Sequence, residues 1–265
     1  MTDTVAGGLG ELRGGTSTGV SLSTTAAYIQ IPKGTNHLFL TGRNYSTAVV
    51  AKIGLCPWVA VLKTQDSGAT APTDYSSEAQ DGSTSTSVTL SSLSTAANGD
   101  FLYVGAHMPF RGVNIDVDSA NATASVLTVK YWNGTAWADI TATDNTASGG
   151  ASLAQDGSVT WTVPTAWAPT GLVVSGDFTT SAPMTGNRYY WTRWQWSGGL
   201  DSSTTLDHMI ALPPSTAYFE ILANQQFEER IHWGPDGFAA VEALTDAGTA
   251  NLVVGYGAGR GARFV

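Results

Sequence analysis

Val126-Leu-Thr-Val-Lys-Tyr-Trp-Asn-Gly-Thr-Ala-Trp-Ala-Asp-Ile140 is the stretch that decides the fold class. Val126, Thr128, Lys130 and Trp132 alternate with Leu127, Val129 and Tyr131, the period of a β-strand. Asn133-Gly134 is the dipeptide that most readily takes positive φ at both central positions of a tight hairpin turn. Thr135, Ala136, Trp137 and Ala138 then begin the returning strand. The spacing predicts a β-hairpin in which the indoles of Trp132 and Trp137 share one packing cluster.

Outward from the hairpin, short strand signals recur at Gly112–Val117, Ser125–Trp132, Ala136–Thr141, Gly157–Val163 and Tyr189–Trp196. Turns separate them, a spacing that predicts an antiparallel sandwich or barrel. Seven of the nine tryptophans lie between Trp132 and Trp196, so this region carries most of the aromatic mass. In the last strand Tyr189, Trp191, Arg193 and Gln195 share one face, and Tyr190, Thr192, Trp194 and Trp196 the other. It reads as a core strand with its polar face outside.

Before this region, residues 63–87 are polar apart from Tyr75, and read as a long surface excursion or a crossing between domains. Further out, Ala26–Ile31, His37–Thr41 and Tyr45–Leu62 carry strand patterns, the last broken at Gly54 or at Cys56-Pro57. After Pro213-Pro214 come Ala217–Leu222, Phe227–Trp233, the turn Gly234-Pro-Asp-Gly237, Phe238–Leu244 and Asn251–Tyr256. No helix of three turns is convincing, so the class is all-β. The expected organisation is a flexible arm over 1–19, where six residues are glycine, and a tail over 257–265. Between them, 20–62 plus 214–256 form one β domain from both chain ends, 63–87 is the linker, and 88–213 is an inserted Trp-rich sandwich.

Twelve basic against 21 acidic residues give a formal net charge of −9, with no cluster of Lys or Arg; Arg260 and Arg263 are the nearest approach. That excludes recognition of nucleic acid through its phosphates. No window reaches the run of roughly 18 apolar residues that a membrane span requires. No secretory signal is visible in MTDTVAGGLGELRGG, so the chain is expected to be made in the cytoplasm and to stay soluble. On that expectation the sequons at Asn44, Asn121 and Asn133 carry no meaning. A single cysteine, Cys56, rules out an internal disulfide and reads as a small buried hydrophobe.

Chemistry is scarce. His37, His107, His208 and His232 are scattered; only His208 has an acidic neighbour, Asp207, and each reads as hydrogen-bonded or exposed rather than ligating. Asn114, Asp116, Asp118 and Asn121 form an oxygen-rich run, but the spacing does not fit an EF-hand loop, and it reads as a polar strand end. Glu228 and Glu229 point to opposite faces of a strand, the wrong geometry for joint acid/base work. Trp132, Trp137, Trp161, Trp167, Trp191, Trp194 and Trp196 are candidates for stacking on sugar rings, although their alternation with small or polar residues favours the core. No catalytic residue, cofactor site or metal site is expected.

Four segments occur in a specific order: YVGAHMPFRGVNIDV, SVLTVKYWNGTAWADI, DGSVTWTVPTAWAPT and RYYWTRWQWS. Over about residues 103–196 this resembles a β-sandwich module of tailed-bacteriophage virion proteins. Trp132, Trp137, Trp161 and Trp167 stand at the signature tryptophans and Arg193 at the arginine of the last motif. The flanks faintly resemble small β domains of head decoration proteins. What the resemblance implies is scaffold: a capsid decoration or cement protein on the outer head, bridging major capsid subunits as a homo-oligomer, with a trimer expected. A low-charge, Gly/Ser/Thr-rich β chain suits a surface built from many copies. The alternatives are a tail, baseplate or fibre-attachment component, and a carbohydrate-binding module contacting host polysaccharide. An enzyme is not expected.

Overall fold

The computed structural model describes residues 16–43, 46, 48–64, 71–91, 93, 99–178 and 184–257. The expected arm up to residue 15 and tail from 258 lie outside the described residues. The chain divides into two compact units, one running to Cys56 and resuming at Ser215, the other from Pro57 to Pro214.

The first unit opens with β1 (Thr16–Leu22), β2 (Ala27–Gln30), β3 (His37–Arg43) and β4 (Ala51–Pro57). The middle unit holds β5 (Ala60–Thr64), β6 (Thr73–Asp74), β7 (Val88–Thr89), β8 (Phe101–Ala106), β9 (Gly112–Ser119) and β10 (Leu127–Trp132). It continues with β11 (Trp137–Ile140), β12 (Thr143–Asp144), β13 (Gly157–Thr160), β14 (Tyr190–Trp196) and β15 (Thr205–Leu212). The first unit then closes with β16 (Phe219–Ile221), β17 (Gln226–Arg230), β18 (Phe238–Thr245) and β19 (Ala250–Gly257). Among the described residues there is no α-helix, only short 3-10 turns such as Glu78–Gln80 and Ser215–Ala217. The class is all-β with antiparallel pairing in four open sheets, none closed into a barrel.

In the unit of the chain ends the sheets run β1-β19-β3-β17 and β16-β4-β18-β2. Leu38 and Leu40 of β3 and Leu252 and Val254 of β19 meet Ile53 of β4 and Val241 and Ala243 of β18 in one core. The alternation of apolar positions along β3 and β19 is what turns one face of each strand inward. The strand signal expected from Val20 begins earlier: Thr16 pairs with Tyr256 and Gly19 with Val253, so the last residues assigned to the arm are strand.

The middle unit stacks β11-β10-β14-β8-β5-β6 on β12-β13-β9-β15-β7. Val61, Leu102, Val104, Val129, Trp194 and Trp196 from the first sheet pack against Val113, Ile115, Val159, Leu206 and Met209 from the second. Two boundaries differ from expectation. Ala60–Thr64, whose first three residues were expected with the chain ends and last two in the linker, is an interior strand here, because the break falls after Pro57 at Trp58-Val59. The stretch 63–87 is not a bare linker where it is described. Buried Gln80 accepts from the Val59 amide at 2.8 Å and donates to the Val59 carbonyl at 2.6 Å, so its side chain stands in for a strand partner.

The hairpin forms with Val129 opposite Ile140 and Trp132 opposite Trp137, and the two indoles meet edge to face at 5.6 Å. Its turn lies one residue further along than the dipeptide implied. Asn133 donates its amide to the Ala136 carbonyl at 3.0 Å, which makes Gly134 and Thr135 the central pair. Only Gly134 of these takes positive φ, at +99°. Asn133 contributes through its side chain instead, Oδ1 accepting from the amides of Thr135 (3.0 Å) and Ala136 (2.8 Å). The returning strand therefore starts at Trp137.

Gly105 on β8 faces Trp191 on β14, and any Cβ at Gly105 would fall inside the indole. Gly105→Ala is expected to lower stability by about 2–3 kcal/mol, because a buried ring within a packed sheet has no room to withdraw. Urea unfolding followed by tryptophan fluorescence checks it; an unchanged midpoint would show that the ring moves freely.

Candidate functional site

β14 carries the densest side-chain chemistry of the middle unit, and both of its faces are covered. Trp194 and Trp196 point into the core between the sheets. Trp191 is fully buried on the opposite face, which had been expected to meet solvent. The cover over that face is the segment around Leu172–Phe178, itself without strand structure.

Arg193 is central to that covered face, opposite Lys130 of β10 on one side and Tyr103 of β8 on the other. Its guanidinium carbon lies 4.5 Å from the ring centre of Phe101 and 5.0 Å from that of Trp137. Arg193 Nη1 donates to Asp177 Oδ1 at 3.0 Å. Asp177 is almost out of water, with its side chain 7% exposed, and it collects further donors from Tyr103 Oη at 2.8 Å and Trp137 Nε1 at 2.7 Å. Ser175 Oγ donates to it as well. A carboxylate removed from water is tolerated when its lone pairs are filled and a cation faces it, and Asp177 meets both conditions. Burial first, and then the charge of Asp177, pushes the Tyr103 hydroxyl well above its ordinary pKa. This constellation binds one segment of the protein to another.

Of the seven tryptophans considered for sugar stacking, Trp161, Trp167, Trp191, Trp194 and Trp196 are buried. Trp132 and Trp137, on the edge hairpin, are half-buried. The buried rings interlock: Trp161 meets Trp194 at 6.3 Å and Phe110 meets Trp167 at 5.1 Å.

The remaining sequence candidates are dispersed. His37 Nδ1 lies 3.9 Å from Glu228 Oε1, and His232 is exposed. Glu228 and Glu229 sit on the exposed edge strand β17. Cys56 is fully buried. Arg260, Arg263 and Asn44 fall outside the described residues. Among the described residues no three His, Cys, Asp or Glu side chains converge in a way that could hold a metal ion. No helix there is long and apolar enough to cross a membrane.

The oxygen-rich run splits into two roles. Asn114, Asp116 and Asp118 lie along β9, whereas Asn121 is buried beyond its end. Asn121 Oδ1 accepts from the amides of Thr123 and Asp201, both at 3.1 Å. Its Nδ2 donates to the carbonyls of Thr123 and Ser152, both at 2.9 Å, and to Ser125 Oγ at 3.0 Å. Asp201 continues this network, accepting from the Ala122 amide at 2.6 Å and from Ser203. Those backbone bonds pull its carboxyl down to about 2. Asp177, Gln80 and Lys63 were not singled out from sequence, because each sits in polar, low-complexity surroundings. Lys63, placed in the linker by sequence, extends its ammonium to the Thr89 carbonyl at 2.8 Å, and burial lowers its pKa.

No family model, curated protein or solved structure matches this chain.

Two outcomes follow from this geometry. Asp177→Ala strands the Arg193 charge and the donors of Tyr103 and Trp137 in a covered site, so a loss of about 3–5 kcal/mol is expected in chemical denaturation. Asp201, with its carboxyl held below the ordinary 3.8, supports the fold above that pH and loses its contribution as pH falls toward 2. Asp201→Asn is expected to flatten acid unfolding across that window, and a carboxyl titration by NMR reads the depressed value directly.

Proposed function

We propose that this chain is a structural protein of a tailed-bacteriophage virion, a decoration or cement protein that binds the outer head and bridges major capsid subunits. The observation that carries the reading is the use made of the aromatic side chains. The indoles of the middle unit are spent on a closed core, and Arg193 and Asp177 on pinning a covering segment to the sheet. A unit so arranged offers rigidity and surface rather than converging reactive groups. The ordered motifs from Tyr103 to Trp196, and their resemblance to a virion module, support the same assignment. Function then resides in adhesion, with copies of the chain associating as a homo-oligomer, a trimer being the expected state.

The exposed strand β17, Gln226-Phe-Glu-Glu-Arg230, fits this role in a negative sense. Its charged side chains occupy a sheet edge whose bare backbone would otherwise pair indiscriminately. A second reading draws on the hairpin. Trp132 and Trp137 are half-buried and share a face with Lys130 and Asp139, which pair with each other, a small aromatic and polar patch that a host glycan could engage.

Densitometry of purified particles tests the assignment. A copy number in the hundreds supports a head decoration protein, whereas a few to some tens per particle overturns it in favour of a tail or baseplate part. For the second reading, titration with host polysaccharide should quench tryptophan fluorescence, and the quench should vanish in Trp132→Ala. An unchanged spectrum at saturating sugar removes it.

A further inference from the structure

The ladder between β9 and β15 contains two irregularities side by side. Thr205 pairs with Ser119 and Leu206 with Val117, which leaves Asp118 of β9 without an opposite residue. His208 then pairs with Asp116, which leaves Asp207 of β15 without one. Each strand thus carries a bulge, and the residue displaced from the ladder is an aspartate in both. Bulges re-aim side chains, and here they bring like charges together.

The surroundings sharpen the point. Asp116 Oδ2 lies 3.4 Å from His208 Nδ1, Asp118 Oδ2 accepts from Thr205 Oγ1 at 2.7 Å, and Asp156 Oδ1 accepts from the Val117 amide at 2.9 Å. These three carboxylates have partners. Asp207 is only 8% exposed, yet its Oδ1 is buried with no hydrogen-bond donor, and Nε2 of the adjacent His208 is likewise unpartnered. The 3-10 turn that packs on β15 brings Glu78 as its charged residue, and β7 receives the Lys63 ammonium on the carbonyl of Thr89. A buried carboxylate oxygen without a donor, set among other carboxylates, is relieved by a cation. Three converging ligands for a metal ion are not present among the described residues, so the smallest cation fits the geometry.

We propose that the paired bulge of β9 and β15 is a proton-binding latch, closed when Asp207 carries a proton and loosened when it is ionised. The electrostatics agree in direction. Burial first, then the charges of Asp118 and Asp116, raise the Asp207 carboxyl above its ordinary 3.8; His208 opposes this and Asp156 adds to it. A carboxyl raised in the folded state favours folding below its ordinary pKa, and the benefit is lost as pH rises through the raised value. The contribution of Asp207 therefore grows as pH falls toward 3.8, opposite in sign to that of Asp201.

Thermal unfolding of the full chain, followed by tryptophan fluorescence, tests this, since eight of the nine tryptophans lie between Trp58 and Trp196 in the middle unit. The melting temperature of the native protein is expected to rise as pH falls through the raised value of Asp207 toward the ordinary 3.8. Asp207→Asn, isosteric and uncharged, is expected to melt about 2–4 °C higher at pH above that raised value and to lose most of the pH dependence. His208→Gln should retain the larger part of it. An Asp207→Asn protein with native pH dependence overturns the proposal, as does loss of the dependence in His208→Gln alone. Calcium chloride against a chelator forms a further arm: no shift supports a proton, and a calcium-dependent rise abolished by Asp207→Asn overturns it in favour of a divalent cation. Should the variant not fold, amide exchange of Leu206–Met209 in the native protein decides, corrected for intrinsic rates. Protection that grows on acidification supports the latch, and protection independent of pH overturns it.

Discussion

Among the buried indoles of the middle unit, all but Trp58 give their N–H a partner, and those bonds organise the unit. Trp161 Nε1 donates to the Phe110 carbonyl at 2.9 Å, Trp194 to Thr192 Oγ1 at 2.9 Å and Trp167 to the Trp191 carbonyl at 3.2 Å. Trp137 donates to Asp177 at 2.7 Å. A tryptophan buries a large apolar area but carries one donor that cannot be left dry without penalty. Meeting that condition fixes the rings as well as burying them. It ties the loop at Phe110 to Trp161, and the segment at Asp177 to the outer face of the six-stranded sheet. The resulting core has one arrangement rather than many similar ones.

The same economy governs the polar interior. Asn121, Gln80 and Asp177 each use nearly all of their hydrogen-bonding capacity, and each fastens a stretch of irregular chain to regular strands. Low charge content does not mean an apolar protein here. The few polar groups taken inside are those whose demands the backbone can answer, whereas most ionised side chains remain at edges such as β17. Asp207 is one of a few exceptions among the described residues, with Trp58, Arg193 Nε and Trp233 among the others, and it is a carboxylate set beside further carboxylates.

Much of the fold was legible because its causes are local. The alternation from Leu127 to Trp132 depends only on which side of a pleat each residue occupies, and the turn at Asn133-Gly134 depends on backbone sterics within four residues. The aromatic concentration between Trp132 and Trp196 likewise announced a core before any contact was known. Smaller errors at these places were also local in origin. The turn moved one residue along, with the Asn133 side chain bonding the amides of Thr135 and Ala136 rather than Asn133 occupying a central position.

What only the tertiary structure decided arises from residues far apart in the chain. Composition and periodicity by themselves determined an all-β protein with an aromatic middle. They left open that Trp191 and Arg193 would be covered, because the cover is Asp177 and Phe178, in a segment with no periodicity of its own. The paired bulge was equally hidden: Asp118 and Asp207 meet only once β9 and β15 are in register, and each is an ordinary surface residue when read alone. Local sterics write strands and turns into neighbouring residues. Burial, and the charge it strands or satisfies, is a property of what the folded chain lays on top.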